Sequence, residues 1–184
     1  MTYFNKPFNT EEQPIEKDRY RLLWSALCPY AHRAVIAREL LGLDNVISLG
    51  TLDYRRGEDG WQFSLDPDGV DPVLKKPTIK SVYNYSEPNY EGPYSVPALV
   101  DSKTEKIVRK ESAEILHEFA TVFKPLHKEG AIDLYPEYLA KQIDEWNEKL
   151  AIAVNDGVYG MGFAKTQDEY DLAFNRFFDT LDEV

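Results

Sequence analysis

The chain has a single cysteine, Cys28, placed where a thiol could do chemistry. A thiol is a useful nucleophile only as thiolate, and the unpaired N–H groups and partial positive charge of a helix N-terminus favour that anion. Cys28 follows the apolar run Tyr20-Arg21-Leu22-Leu23-Trp24-Ser25, which reads as a strand, and precedes Pro29, which suits the first turn of a helix. His32 and Arg33 lie one turn on and could add positive potential, although Arg33 can equally point away. The other role open to a lone cysteine is inert burial. An internal disulfide and a dithiol cycle are both excluded, so disulfide chemistry at Cys28 needs a small external thiol as the resolving partner. The three histidines are far apart and form no metal-ligating cluster, so no metal is expected.

Two further pairs could recognise a ligand. Pro97 cannot donate a ladder hydrogen bond, so Val96-Pro97 at a strand start marks either an edge or a special turn. With a cis bond there, the Val96 carbonyl and N–H would face outward and could pair with a peptide-like molecule. Glu111-Ser112 at a helix start is either a simple cap or a binding pair. In the second case Glu111 accepts from an α-ammonium while Ser112 and its neighbouring N–H groups hold a carboxylate.

These residues need a sheet and helices to position them. A helix is expected from Pro29 to about Leu41, with Val35, Ile36, Leu40 and Leu41 inward, Arg33, Arg38 and Glu39 facing water, and Gly42 as its stop. Val46 to Leu49 reads as a second strand, completing a βαβ unit. Residues 53–93 read as an irregular insertion with a short helix near Ile79 to Tyr83. Ser95 to Asp101 and Lys106 to Val108 read as a hairpin, and Ala113, Ile115, Leu116, Phe119 and Phe123 mark an amphipathic helix. The order βαβ, insertion, ββα is thus followed by helices, with Ile143, Trp146, Leu150 and Val154 on one face and Tyr170, Ala173, Phe174, Phe177, Phe178 and Leu181 on another. The expected divisions are an arm over 1–18 that docks loosely or frays, a first domain over 19–124, a linker over 125–134 and a partial helical domain over 135–184.

Composition bounds the class. Of 184 residues, 43% are apolar and 13% aromatic, which supports a folded chain. The net charge of -11, with basic residues scattered among acidic ones, argues against nucleic-acid binding. No run approaches a membrane span and the first residues lack a signal-peptide pattern, so no membrane partner and a cytoplasmic address are expected.

Taken together, the motifs resemble the glutathionyl-hydroquinone reductases, the Xi class of glutathione transferases. The family's cysteine followed by Pro-Trp-Ala-His-Arg is echoed by Cys28 to Arg33, its Gly-Trp-x-Phe by Gly60-Trp61-Gln62-Phe63, its Val-Pro by Val96-Pro97 and its Glu-Ser by Glu111-Ser112. Asp133-Leu134-Tyr135-Pro136, Asn155 to Tyr159 and Gly162-Phe163-Ala164 extend the likeness through the helical part. Tyr30 stands where the family has tryptophan, and Pro93 where it usually has arginine.

The resemblance implies an α/β thioredoxin-like domain followed by an incomplete all-α transferase-type domain, because family members continue well past Val184 and this chain looks C-terminally truncated. It implies reduction of a glutathionylated aromatic, with glutathione as co-substrate and a homodimer as the assembly. Cys28 would attack the glutathione sulfur, Val96 and Pro97 would present backbone to the tripeptide, Glu111 and Ser112 would hold its γ-glutamyl end, and Trp61 would pack on it. Tyr159 would face the aromatic acceptor, with Tyr30, His32 and Arg33 supporting the cysteine loop. Core packing is the other reading of Trp61 and Tyr159. Two other functions stay open: an omega-like thiol transferase or deglutathionylase, and a glutathione-binding remnant without turnover.

Overall fold

The computed structural model describes residues 3–184, and its contacts divide the chain into two units, Met1–Leu134 and Tyr135–Val184. In the first, β1 (Tyr20–Ser25), α1 (Pro29–Leu40) and β2 (Ile47–Leu52) form a parallel βαβ unit. After the insertion, β5 (Ala98–Asp101) and β6 (Lys106–Arg109) form an antiparallel hairpin, followed by α3 (Ser112–Ala120). The sheet order is β2-β1-β5-β6, with β5 antiparallel to β1. Alternation along β1 separates two cores. Tyr20 and Leu22 join Ala34, Ala37, Ile115 and Phe119 on one face, while Leu23 joins Ile79, Val82 and Tyr83 on the other. Gly42 ends α1 with φ +73°, the left-handed conformation that favours glycine.

The inward face of α1 differs from the sequence expectation. Ala31, Ala34, Ala37 and Leu41 are buried, whereas Ile36 and Leu40 are each 46% exposed. Ala34 and Ala37 lie between β1 and α3, where small side chains let the three elements pack together, and that packing selects the face more strongly than side-chain size. Arg38, expected in water, is buried because its guanidinium donates to the carbonyls of Ile47 at 2.7 Å and Asp44 at 3.1 Å. It fastens the end of the helix to the strand that follows.

The insertion carries more order than expected. A small ribbon pairs β3 (Arg56–Gly57) with β4 (Gly60–Trp61), and α2 (Ile79–Ser86) starts with a capping box at Thr78 and Ser81. Buried Asp71 anchors the segment: one carboxylate oxygen accepts from Arg21 at 2.7 and 2.9 Å, and the other accepts the backbone N–H groups of Val73 and Leu74.

Residues 3–18 are tied down rather than loosely docked; the first two residues of the expected arm lie outside the described ones. Phe8 is buried edge-on against Tyr20 and Phe123, while Tyr3 and Phe4 pack against Tyr90. Arg109 donates to the carbonyls of Phe4 and Lys6 and pairs with Glu118. Aromatic residues in a polar segment supplied the anchors that its overall composition concealed. The segment expected as a linker lies in the first unit, with Leu126 and Leu134 packed on its core.

The second unit holds α4 (Ala140–Leu150), a π turn over Ala151–Asn155, α5 (Gly157–Phe163) and α6 (Gln167–Leu181). The π turn breaks the expected single face before Val154. Along α6, Tyr170, Phe174 and Phe178 form a half-exposed ladder with ring centroids 5.9 and 4.5 Å apart.

Two measurements check these assignments. Ala34→Leu should destabilise the chain by roughly 1–3 kcal/mol in urea, while Ile36→Ser should stay within roughly 0.5 kcal/mol. The opposite ranking would restore the expected face. Burial pushes the Tyr20 phenol up to about 12, so the folded state holds its proton longer than the unfolded chain. Its contribution is therefore intact below pH ~10 and lost as pH rises toward 12, with a slope approaching roughly 1.4 kcal/mol per pH unit. Tyr20→Phe should flatten the alkaline limb of a stability-versus-pH curve.

Candidate active site

Cys28 occupies the N-cap position of α1 with extended backbone, and its side chain makes no capping hydrogen bond to the helix. Its N–H donates to the carbonyl of Ser25, the last residue of β1, at 3.0 Å, and its carbonyl accepts from the His32 N–H at 3.0 Å, which begins the helix. Pro29 then supplies the right φ and no N–H. The thiol is nearly buried and donates to the Val96 carbonyl at 3.3 Å. The Val96-Pro97 peptide bond is cis.

Cys28, Trp61 and Val96 share one buried cluster with Tyr83 and Tyr90, and Tyr30 packs at its margin. Trp61 is 6% exposed, and its Nε1–H has no acceptor among the described residues. Arg33 turns toward α3, donating to the Ser112 hydroxyl through Nε at 3.1 Å and a terminal nitrogen at 2.6 Å. Its guanidinium also lies 5.7 Å from the Tyr30 ring centre, and half-burial lowers its pKa. His32 is exposed and stacks on Trp24.

The capping reading of Glu111 is not what the geometry gives: Glu111 sits at the N-cap of α3 without a side-chain capping bond and accepts from Lys110 at 2.7 Å. Burial is the largest single influence on Lys110 and lowers its pKa, but the bond and charge of Glu111 together with Tyr90 outweigh it, and the net direction is up. Glu111 also lines a cavity of about 280 Å³ with Tyr3, Phe4, Tyr90, Pro93 and Lys110. The structure thus brings Cys28, Trp61 and Val96 together and joins Arg33 to Ser112. Tyr159 belongs to the second unit, on α5, where its ring stacks on Phe163.

Sequence reasoning missed the arm residues lining the cavity and missed Arg56, whose guanidinium lies 4.3 Å from the Trp61 ring centre. Asp59-Gly60 before Trp61 was the available signal, since a short turn there sets Arg56 opposite Trp61. Among the described residues no His, Cys, Asp and Glu cluster could hold a metal, and no helix is long and apolar enough to cross a membrane.

A thioredoxin-like sheet, a lone cysteine starting its first helix and a cis-proline beside the sulfur define the class of domain. Residues 27–122 match the family described as Glutathione S-transferase, N-terminal domain. The chain is 40% identical over 173 residues to Glutathione S-transferase omega-like 2 of Schizosaccharomyces pombe, covering 92% of this chain and 55% of that protein. It is 40% identical over 168 residues to the Escherichia coli glutathionyl-hydroquinone reductase YqjG, covering 90% and 51%. The Xi glutathione transferase of Phanerochaete chrysosporium superposes with a TM-score of 0.90 at 38% identity, covering 99% of this chain and 63% of that one. The chain belongs to the glutathione S-transferase family, on the branch of the Xi-class enzymes and glutathionyl-hydroquinone reductases. It spans about half the length of the curated relatives it matches.

Ser112→Ala should destabilise the chain by roughly 1.5–3 kcal/mol in chemical denaturation, because the half-buried Arg33 guanidinium would lose its acceptor. Ser112→Thr, which keeps the hydroxyl, should recover most of that loss; equal losses would mean that packing, not the bond, matters.

Proposed function

We propose that this chain is a glutathione-dependent reductase that removes glutathione from glutathionyl-hydroquinones through a single nucleophilic cysteine. The observation that carries the reading is the position of Cys28: a lone thiol at a helix start, clustered with Trp61 and with the Val96 backbone. The Escherichia coli relative supports it by its name and has been solved with glutathione bound.

In this reading residues 19–124 bind glutathione and the helical residues 135–184 face the acceptor. The Cys28 thiolate attacks the glutathione sulfur, a Cys28–glutathione disulfide forms and the carbon–sulfur bond breaks. The aromatic carbon keeps the electron pair and takes a proton, so hydroquinone leaves. A second glutathione, as thiolate, attacks the mixed disulfide, releasing oxidised glutathione and restoring Cys28. Glutathione is the co-substrate and no metal takes part. Val96 pairs with the cysteinyl backbone, Pro97 holds that backbone outward, and Trp61 packs on the tripeptide. Glu111 takes the α-ammonium and Ser112 the γ-glutamyl carboxylate. Arg33 positions Ser112, Tyr30 and His32 shape the cysteine loop, and Tyr159 meets the hydroquinone. The cytoplasm is the proposed compartment and a homodimer the proposed assembly.

A second reading has its own support, since the fission-yeast relative is named omega-like: a thiol transferase acting on glutathionylated peptides. Intact mass after incubation with oxidised glutathione from pH 5 to 9, beside Cys28→Ser, tests the shared step. An adduct of one glutathione in the native chain and none in the variant is expected. No adduct even at high pH would make Cys28 a packing residue. Turnover of a glutathionyl-hydroquinone but not of a glutathionylated peptide is the expected second outcome, and the reverse would favour the omega-like reading.

A further inference from the structure

Basic residues are scarce in this chain, 21 against 32 acidic ones, and the first unit spends most of its arginines on internal partners. Arg19 pairs with Asp101, Arg21 with Asp71, Arg38 with Glu39 and Arg109 with Glu118, while Arg33 binds Ser112. Arg56 is different. It is exposed, and among the described residues no carboxylate lies within ion-pair distance of it. Its guanidinium lies 4.3 Å from the centre of the Trp61 ring, fixed there because the two residues face each other across the β3–β4 ribbon. Neighbouring Arg55 stacks instead on Tyr54, an exposed ring outside the Cys28 cluster.

We propose that Arg56 is the anion-binding residue of the glutathione site and takes the glycyl carboxylate. The inference rests on the glutathione reading above. Glutathione carries two carboxylates and one ammonium, and that reading gives the γ-glutamyl end, with its ammonium and one carboxylate, to Glu111 and Ser112. The remaining carboxylate needs a cation on the Trp61 side of the cysteine, and Arg56 supplies one held against that ring. A stacked guanidinium keeps its N–H edges open for a planar carboxylate while its face stays on the indole. The Trp61 Nε1–H, buried and without an acceptor among the described residues, is a further donor on the ring that Arg56 covers.

The test compares equilibrium binding of reduced glutathione with that of its glycyl monoethyl ester, which lacks this one charge, in the full chain and in Arg56→Gln and Arg56→Lys. The native chain should prefer glutathione by roughly five- to tenfold at low salt, a preference that shrinks as salt rises. Arg56→Gln should bind both ligands as weakly as the native chain binds the ester, and Arg56→Lys should keep part of the preference. Circular dichroism spectra matching the native chain would confirm that the variants fold. A preference that survives intact in Arg56→Gln, or is missing from the native chain, overturns the proposal and leaves Arg56 as a cover for Trp61. The Cys28 adduct separates the two failures: with the adduct formed, only the Arg56 assignment falls, and with neither adduct nor binding, the glutathione reading falls with it.

Discussion

The packing of α1 against both β1 and α3 is the constraint from which the site follows. Ala31, Ala34 and Ala37 present little bulk, so the helix can lie near β1, and the chain must turn at once from the end of that strand into the helix. The Cys28 N–H bonded to the Ser25 carbonyl is that turn. Because β5 runs antiparallel to β1, with Leu23 opposite Ala98, the end of β1 and the start of β5 meet at the same edge of the sheet. Topology alone therefore delivers the cysteine sulfur to the Val96 carbonyl. A larger residue at position 34 would push the helix outward and displace the sulfur with it.

Regions that surround the cysteine but lack regular structure are held by buried charge. Asp71 fixes the insertion to the sheet through Arg21, and Arg109 fixes the N-terminal arm through backbone carbonyls while pairing with Glu118. Such pairs contribute little net stability against an apolar alternative, yet removing one partner leaves an uncompensated charge inside. Their effect is specificity of placement. They hold the segment bearing Trp61 and the segment bearing Tyr3 and Phe4 against the same aromatic cluster.

Much of this was legible in the sequence because it depended on local patterns. Strand β1, the start of α1, the Gly42 stop and the closing hairpin each announced themselves through apolar runs, proline, glycine or a polar turn. The failures have a common cause. Hydrophobic size misassigned the face of α1, since tertiary closeness rewarded alanine over isoleucine and buried Arg38 through backbone carbonyls that no periodicity encodes. The arm read as loose because its few aromatic residues are diluted by polar neighbours, and their partners Tyr20, Tyr90 and Phe123 are remote in sequence. At the site, the family resemblance assigned Cys28, Trp61 and Val96 to one tripeptide, and the structure places the three in one buried cluster. The Arg33–Ser112 bond was not foretold, because it depends on how α1 and α3 lie side by side.

The hydrogen bond from the Cys28 thiol to the Val96 carbonyl ties the sulfur to the chain just before β5. In the proposed reaction the cysteinyl N–H of glutathione competes for that same carbonyl. Docking of the tripeptide would then take over the acceptor that holds the sulfur, and it would bring the glutathione sulfur to the start of α1 in the same step. One backbone group thus positions the thiol and recognises the ligand, which suits a monothiol whose resolving partner comes from solution.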